Sequence, residues 1–238
     1  GEENTKEVKV KNEFSEFLSS VDKITFNPVD KLSIDESVVY DEKDLCIYCD
    51  PIDGTSSFIK GKYSNVTVLV GVTYKKQPVL GLIHFLSYLD KEPRTFFNIP
   101  GNGIYSLTTN TEQLFAMKDF NDYDKLEYQL EKQVIEKKEK MNFIITASRE
   151  NDTMSKSKIK KLLYYSLLLV MSFFPDPQVM RISGLGNKAI ISILEDYFYF
   201  APSKGLGYWD VCAAHALTKE AGGGCYFVNK DGDEVTYP

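Results

Sequence analysis

Two aspartates stand three residues apart in Asp50-Pro51-Ile52-Asp53-Gly54-Thr55, directly after a short apolar run. Pro51 fixes the backbone φ angle and has no N–H, which predicts a turn between the two carboxylates. Gly54 permits a tight backbone and the close approach of a ligand. Residues 55–57 predict a first helical turn, whose free N–H groups bind anions readily. Carboxylates that suit a hard cation, beside N–H groups that suit phosphate, indicate metal-assisted phosphoryl chemistry.

Two alternatives compete for this segment. Asp-Pro and Asp-Gly pairs are common in surface turns, so the six residues alone are compatible with an Asx-turn and exposed acids. Aspartyl phosphotransferases of the haloacid dehalogenase type use D-x-D-G-T, with one residue fewer between the acids. In a strand the extra residue reverses the face to which the first carboxylate points. This spacing disfavours the phosphotransferase, and it predicts Asp50 and Asp53 on opposite faces.

Four segments in chain order carry a family resemblance: G-E-E at 1–3, D-P-I-D-G-T at 50–55, G-L-G-N-K at 184–188 and Y-W-D-V-C-A-A at 208–214. Together they resemble the lithium-sensitive, magnesium-dependent phosphomonoesterases. That superfamily includes inositol monophosphatase, inositol polyphosphate 1-phosphatase and 3'(2'),5'-bisphosphate nucleotidase.

The resemblance implies a metal centre with two or three Mg²⁺ ions, inhibited by Li⁺. Four carboxylates brought together without cations would repel one another and raise their pKa values. Attack by water would be in line, without a covalent intermediate. The implied metal ligands are Glu2, Asp50, Asp53, Asp210 and the carbonyl of Ile52, with Asp53 shared between ions. The implied catalytic residues are Thr55, which orients the attacking water, with Asp53 and Glu2, and the N–H groups of Gly54 and Thr55 would hold the phosphate.

The residues constrain the identity of the substrate less tightly than they constrain the metal centre. The G-L-G-N-K turn and the pair Ser148-Arg149 after a strand resemble the bisphosphate nucleotidases, in which Arg149 would clamp the second phosphate. These features favour 3'-phosphoadenosine 5'-phosphate, cleaved to AMP. Ile59-Lys60-Gly61 and residues 212–216 instead resemble inositol polyphosphate 1-phosphatase. An inactive phosphate-binding or nucleotide-binding relative is the further alternative. The candidate substrate contacts are Ser148, Arg149, Ser183, Asn187, Lys188 and Lys204.

Composition excludes several other classes of protein. The chain of 238 residues carries 34 acidic and 28 basic side chains, a net charge of −6, which disfavours binding to a nucleic acid polymer. The longest apolar run, residues 162–174, is too short to span a bilayer. These features favour a cytoplasmic protein, and the resemblance implies an enzyme that acts on a small phosphorylated substrate.

The histidines and cysteines offer little further chemistry. Cys46 and Cys49 form a C-x-x-C on a predicted strand, where they point to opposite faces and cannot chelate one ion. His215 lies five residues after Asp210 on a predicted helix, off the ligand face, and is expected in the core or on the surface.

These side chains need a mixed α/β scaffold. Strands are predicted at 44–49, 63–74, 79–86, 104–107, 143–147, 197–200 and from 225, and helices at 152–172, 187–195 and 209–221. Residues 118–141 are rich in charge and are expected to form an exposed helix or an insertion.

The resemblance implies a layered α/β/α/β/α sandwich. The antiparallel sheet belongs to a metal-binding half, residues 1–140, and a smaller mixed sheet belongs to an α/β half with substrate loops, residues 141–238. Family members extend further at both ends, so the chain is expected to be truncated there.

Overall fold

The computed structural model describes residues 39–110, 112–113, 128–135, 142–143, 182, 184–195, 197–198, 206–226 and 233–238. The chain divides into two compact units. One consists of Gly1–Ser37 with Thr109–Gln129, and the other of Val38–Thr108 with Leu130–Pro238. Nearly all the described elements belong to the second unit. The predicted division between residues 140 and 141 stays a prediction.

Six strands form one sheet, in which each strand neighbours the next along the chain. The pairings from β1 to β5 are antiparallel. This arrangement confirms the predicted antiparallel sheet. The strands are β1 (Leu45–Asp53), β2 (Thr67–Tyr74), β3 (Gln77–Phe85), β4 (Arg94–Ile99), β5 (Gly103–Thr109) and β6 (Tyr128–Lys132).

The strand boundaries differ from the sequence prediction in three places. The strand predicted from residue 63 begins at Thr67, because Tyr63–Asn65 form a 3-10 turn. No strand is predicted from the sequence at Arg94–Ile99, which pairs with both β3 and β5. The helix considered for 118–141 is wrong at Tyr128–Lys132, which form the edge strand β6.

Helices cover one face of this sheet. The short helix α1 (Thr55–Ile59) follows β1, and the longer helices are α2 (Leu185–Glu195) and α3 (Tyr208–Glu220). Alternate residues of β2 are buried, as expected for a strand that packs a single face against helices. The core beneath α2 and α3 consists of Leu69, Ile83, Phe85, Phe96, Ile104, Ala189, Ile190, Ile193, Ala213, Ala214 and Leu217.

Two opposed glycines allow α3 to approach the sheet closely. Gly71 of β2 and Gly81 of β3 are direct partners in the ladder. A Cβ at Gly71 would lie 2.6 Å from the Ala213 backbone nitrogen, and a Cβ at Gly81 would collide with the Ala213 carbonyl. The helix therefore packs directly on the backbone of β2 and β3 at these two glycines. The α3 residues in contact there, Cys212 and Ala213, are small.

The carboxyl end of α3 is tied to the turn between β4 and β5. The Glu220 carboxylate accepts hydrogen bonds from the backbone N–H of Gly101 (3.1 Å) and of Gly103 (2.8 Å). Two backbone donors on one carboxylate make a charge-assisted, two-point contact. It fixes the position of the helix along the sheet.

The second sheet contains two short parallel strands, β7 (Asn142–Phe143) and β8 (Tyr197–Phe198). Of the last predicted strand, from Cys225, the described residues show an antiparallel bridge between Tyr226 and Glu234, and residues 227–232 lie outside them. The predicted helix at 152–172 and the apolar run at 162–174 lie outside the described residues. Within the described part of the chain, no helix is both long and apolar enough to cross a lipid bilayer.

Substitution of Gly81 by Ala tests the close approach of α3. The added Cβ meets the Ala213 carbonyl of a helix that cannot move away without losing its other contacts. We expect the free energy of unfolding to fall by about 1–3 kcal/mol, the usual cost of overpacking a core. Urea denaturation measures this loss. The control Val134→Ala, at a position 82% exposed, should change it by less than about 0.5 kcal/mol; an equal effect of the two substitutions would contradict the packing.

Candidate active site

A bulge in β1 places the two acids of the D-P-I-D segment on one face. Asp50 pairs with Leu69 and Asp53 pairs with Thr67, so three steps along β1 match two steps along β2. Residues that lie opposite Leu69 and Thr67 share the buried face of the sheet, because those two partners are both buried there. The expectation of opposite faces is therefore wrong. The extra residue is absorbed by the bulge at 51–52 rather than by a reversal of the strand.

Gly54 turns the chain from β1 into α1. Its φ of +86° and ψ of 35° lie in the left-handed region, and a Cβ there would collide with the Asn65 carbonyl. Thr55 is exposed and opens the helix, as predicted. Its hydroxyl donates to the Ile52 carbonyl at 3.1 Å. The turn thus presents the Thr55 side chain and the Ile52 carbonyl at one point, directly beside Asp53.

Asp53 is the most enclosed acid of the site. Its Oδ2 accepts a hydrogen bond from the Thr67 hydroxyl (3.0 Å) and another from the backbone N–H of Gly186 (3.0 Å). Burial raises the pKa of Asp53 above its usual range, and the N–H and hydroxyl donors oppose this rise. The negative charge of Asp50 raises the pKa further. Asp53 is therefore a partly buried carboxylate whose negative charge a nearby cation would stabilise.

Asp210 lies in the first turn of α3 and interacts with both other acids. Its Oδ2 accepts a hydrogen bond of 2.6 Å from the backbone N–H of Gly207, which precedes the helix. Burial raises the pKa of Asp210, the Gly207 N–H opposes the rise, and the charges of Asp50 and Asp53 reinforce it. A side-chain hydrogen bond with Asp50 also raises this pKa. Asp50 and Asp210, which are 160 residues apart in sequence, are thus close enough in the fold to repel each other.

The donor set fits a hard cation. Carboxylates and backbone carbonyls are the oxygen ligands that Mg²⁺ takes, and mutual repulsion of partly buried acids is relieved by a divalent ion. Within the described residues, however, no three His, Cys, Asp or Glu side chains converge closely enough to form a cation site by themselves. The predicted ligand and catalytic residue Glu2 lies outside the described residues. The ligand roles of Asp50, Ile52, Asp53 and Asp210 stay predictions.

The predicted substrate contacts are described only in part. Asn187 and Lys188, at the start of α2, are both buried, with 9% and 7% of their surfaces exposed. The Asn187 amide donates to the Ser64 carbonyl at 3.0 Å, so this side chain attaches α2 to the turn before β2. Four further candidates lie outside the described residues: Ser148, Arg149, Ser183 and Lys204. Substrate binding by all six stays a prediction.

Thr67 is a site residue that sequence reasoning missed. Its side chain is fully buried and donates directly to Asp53. A polar residue at a buried position of an apolar strand is a weak signal, since a strand pattern rich in β-branched residues accommodates Thr without any functional reason. The partner of Thr67 depends on the register of β1 and β2, which the bulge shifts.

His215 is a core residue of α3, in agreement with one of its two predicted environments. It is fully buried, and its Nδ1 and Nε2 lie 3.1 Å from the Tyr237 hydroxyl and 3.3 Å from Glu234 Oε1. Cys46 and Cys49 pair with Thr73 and Val70, which lie on opposite faces of β2, as the C-x-x-C analysis predicts. Neither His215 nor the two cysteines add a ligand to the carboxylates.

With this geometry in place, the comparisons with known proteins decide the family. The model of the inositol monophosphatase family matches residues 6–238. The chain belongs to that family. It is 27% identical to human 3'(2'),5'-bisphosphate nucleotidase 1 over 190 residues, which cover 76% of this chain and 49% of the human protein. The protein of the same name from Dictyostelium discoideum is 25% identical over 206 residues, or 82% of this chain and 55% of the relative. The chain thus spans about half the length of these relatives.

Solved structures of the family share the fold. The chain matches CysQ from Bacteroides thetaiotaomicron, described as a bacterial member of the inositol monophosphatase family, with a TM-score of 0.55 and 19% identity. That match covers 88% of this chain and 73% of CysQ. Inositol monophosphate-bound SaIMPase-II matches with a TM-score of 0.53 and 16% identity over 86% of this chain and 63% of that one. These likenesses agree with the predicted α/β family fold.

The buried histidine of α3 makes stability depend on pH. Burial lowers the pKa of His215 and the Lys219 charge acts in the same direction, whereas Glu234 opposes them. Below the usual histidine pKa of about 6.5, the unfolded chain binds a proton that the folded chain resists, so stability is lost as the pH falls. We expect His215→Gln to lose less stability between pH 7.5 and pH 5.5 than the wild type in urea titrations. An equal loss of stability in the wild type and in His215→Gln would exclude this role. Burial also lowers the pKa of His84, which therefore accounts for part of the loss of stability that remains in His215→Gln.

Proposed function

We propose that this protein is a Mg²⁺-dependent, Li⁺-sensitive phosphomonoesterase that removes the 3'-phosphate of 3'-phosphoadenosine 5'-phosphate to give AMP. The observation that carries this proposal is the bulge of β1. It sets Asp50 and Asp53 on one face, where both interact with Asp210, directly beside the Gly54–Thr55 turn. Acids that interact with one another next to a helix start suit the hydrolysis of a phosphate ester held by cations.

The proposed ion site uses oxygen ligands only. Mg²⁺ would be held by Asp50, Asp53, Asp210 and the Ile52 carbonyl, with Glu2 as the further ligand that the resemblance implies. When bound, Mg²⁺ supplies positive charge that polarises the phosphoryl group and acidifies water. The ions also offset the negative charge of the acids, which otherwise repels an anionic substrate.

The chain's own residues orient the reactants. The N–H groups of Gly54 and Thr55 hold phosphate oxygens, and their donors are preorganised because the left-handed Gly54 fixes the start of α1. The Thr55 hydroxyl, which donates to the Ile52 carbonyl in this structure, orients the attacking water. A metal-assisted route of this kind needs no covalent intermediate.

Two features support a nucleotide as the substrate. The relatives at 25–27% identity are named 3'(2'),5'-bisphosphate nucleotidase. The G-L-G-N-K turn at 184–188 also resembles that branch, and its Gly186 contacts Asp53 directly. Arg149 is the proposed clamp for the phosphate that does not react. Inositol polyphosphate 1-phosphatase activity is the second candidate, because residues 59–61 and 212–216 resemble that enzyme.

Replacement of Asp53 by Asn tests the proposed ion site. The amide keeps an oxygen that can accept from Thr67 and Gly186, but it removes the charge that binds the cation. We expect phosphate release to fall by at least about 100-fold, since even residues that only support metal ligands cost 10–100-fold. The control Asp44→Asn changes an exposed acid 3.9 Å from Lys75, away from the site, and should keep full activity. Substantial residual activity in Asp53→Asn would exclude a shared ligand at this position.

A direct comparison of substrates tests the proposed specificity. We expect kcat/KM with Mg²⁺ to be at least about tenfold higher for 3'-phosphoadenosine 5'-phosphate than for inositol 1,4-bisphosphate, a difference of about 1.4 kcal/mol in transition-state binding. Phosphate release with both substrates, in the presence and absence of Li⁺, measures this ratio. The reverse preference would establish the inositol alternative. Hydrolysis of neither substrate, with Mg²⁺ still bound, would favour an inactive binding protein.

A further inference from the structure

We propose that Thr67 is a positioning residue, whose hydroxyl sets the orientation of the Asp53 carboxylate for cation binding. The inference rests on the proposed function, because it assumes that Asp53 binds Mg²⁺. It assigns a role in metal affinity to a side chain of β2 outside the D-P-I-D-G-T segment.

The hydrogen bond pattern around Asp53 carries this inference. The Thr67 hydroxyl and the Gly186 N–H both donate to the same oxygen, Oδ2, each at 3.0 Å. One donor comes from the sheet and the other from the start of α2. Two donors from different elements fix the rotation of a carboxylate that would otherwise turn about its terminal torsion, which is broad for Asp.

Packing holds the Thr67 hydroxyl in place. Thr67 is fully buried, and it lies opposite Asp53 in the ladder because of the bulge. At Gly186 there is no space for a side chain: a Cβ would lie 2.5 Å from Thr67 Oγ1. The turn therefore approaches Thr67 closely enough for both donors to reach one oxygen. Residues of this kind, which orient a metal ligand without touching the metal, tune affinity.

The same contact connects the cation site to the substrate turn. Gly184 also lies against Asp53, since a Cβ at Gly184 would be 3.1 Å from Asp53 Oδ2. The residues that follow, Asn187 and Lys188, are the predicted substrate contacts of α2. The Gly186 N–H donates independently of Thr67, so it still attaches Asp53 to the start of α2 when the Thr67 hydroxyl is removed.

The test uses three substitutions in the full chain. Thr67→Val removes the hydroxyl and keeps the shape, Thr67→Ser keeps the hydroxyl, and Thr73→Val is the matched control. Thr73 is also buried, on the same face of β2, but it pairs with Cys46 at the far end from Asp53. Calorimetry measures the Kd for Mg²⁺ without substrate, and steady-state kinetics measure the Mg²⁺ concentration for half-maximal activity and the KM at saturating Mg²⁺.

We expect Thr67→Val to raise the Kd for Mg²⁺ by about tenfold. The Mg²⁺ concentration for half-maximal activity should rise by a similar factor. Its KM at saturating Mg²⁺ should stay within about twofold of the wild type, because the lost contact acts through the cation. Thr67→Ser should restore Mg²⁺ affinity to within about threefold, and Thr73→Val should leave it unchanged. If Thr67→Val does not fold, Thr67→Ala removes the hydroxyl without placing a methyl group beside Oδ2, and the same tenfold loss is expected.

A Mg²⁺ Kd for the folded Thr67→Val or Thr67→Ala chain equal to that of the wild type would overturn the inference. An equal loss in Thr73→Val would also overturn it, since the effect would then be general to the strand. These outcomes are independent of substrate. Failure of the wild type to hydrolyse 3'-phosphoadenosine 5'-phosphate while it binds Mg²⁺ would contradict the proposed reaction alone. Failure of the wild type to bind Mg²⁺ would contradict both.

Discussion

Two acids of the site are each held by backbone N–H groups at the start of a helix, and the surrounding structure depends on this interaction. Asp53 accepts from Gly186 at the start of α2, and Asp210 accepts from Gly207 at the start of α3. The positive end of a helix dipole and its unsatisfied N–H groups favour a negative charge. Burial and mutual repulsion act against the same charges. The helices thus stabilise the ionised acids in part, and the remaining imbalance is what makes this place suitable for a cation.

Local backbone irregularities bring these helix ends to the same place. The bulge of β1 turns Asp50 and Asp53 towards the helices, and the glycine pair Gly71 and Gly81 lets α3 come close enough for Asp210 to interact with them. Neither feature contributes a functional group. The bulge interrupts the regular alternation of β1, and the glycine pair leaves no side chain between the sheet and α3.

The sequence predicts the structure best where an element is determined by residues that are close together in the chain. The Asp-Gly turn, the hairpin from β2 to β3 and the helix at Tyr208–Glu220 are all encoded by adjacent residues, and they form close to the predicted positions. Strand β4 was missed because its segment R-T-F-F-N-I does not alternate regularly between polar and apolar residues. Edge strand β6 was missed because the charge-rich segment around it indicates a solvated surface. The predicted face of Asp50 was wrong because a bulge depends on the strand that pairs with β1. Thr67 became a candidate only when the register placed it opposite Asp53.

Attachment of α3 at its middle and at its carboxyl end has a mechanical consequence. Ala213 packs directly against Gly71 and Gly81 of the sheet, and Glu220 accepts from the backbone N–H groups of Gly101 and Gly103. The bond from Gly207 to Asp210 lies within the start of the helix itself. A helix of 13 residues is about 20 Å long and resists stretching, so its two ends cannot move independently. Any rearrangement that changes the separation between Asp210 and Asp53 must therefore come from β1, α1 or the start of α2. The helix acts as the fixed reference against which the acids of β1 are positioned.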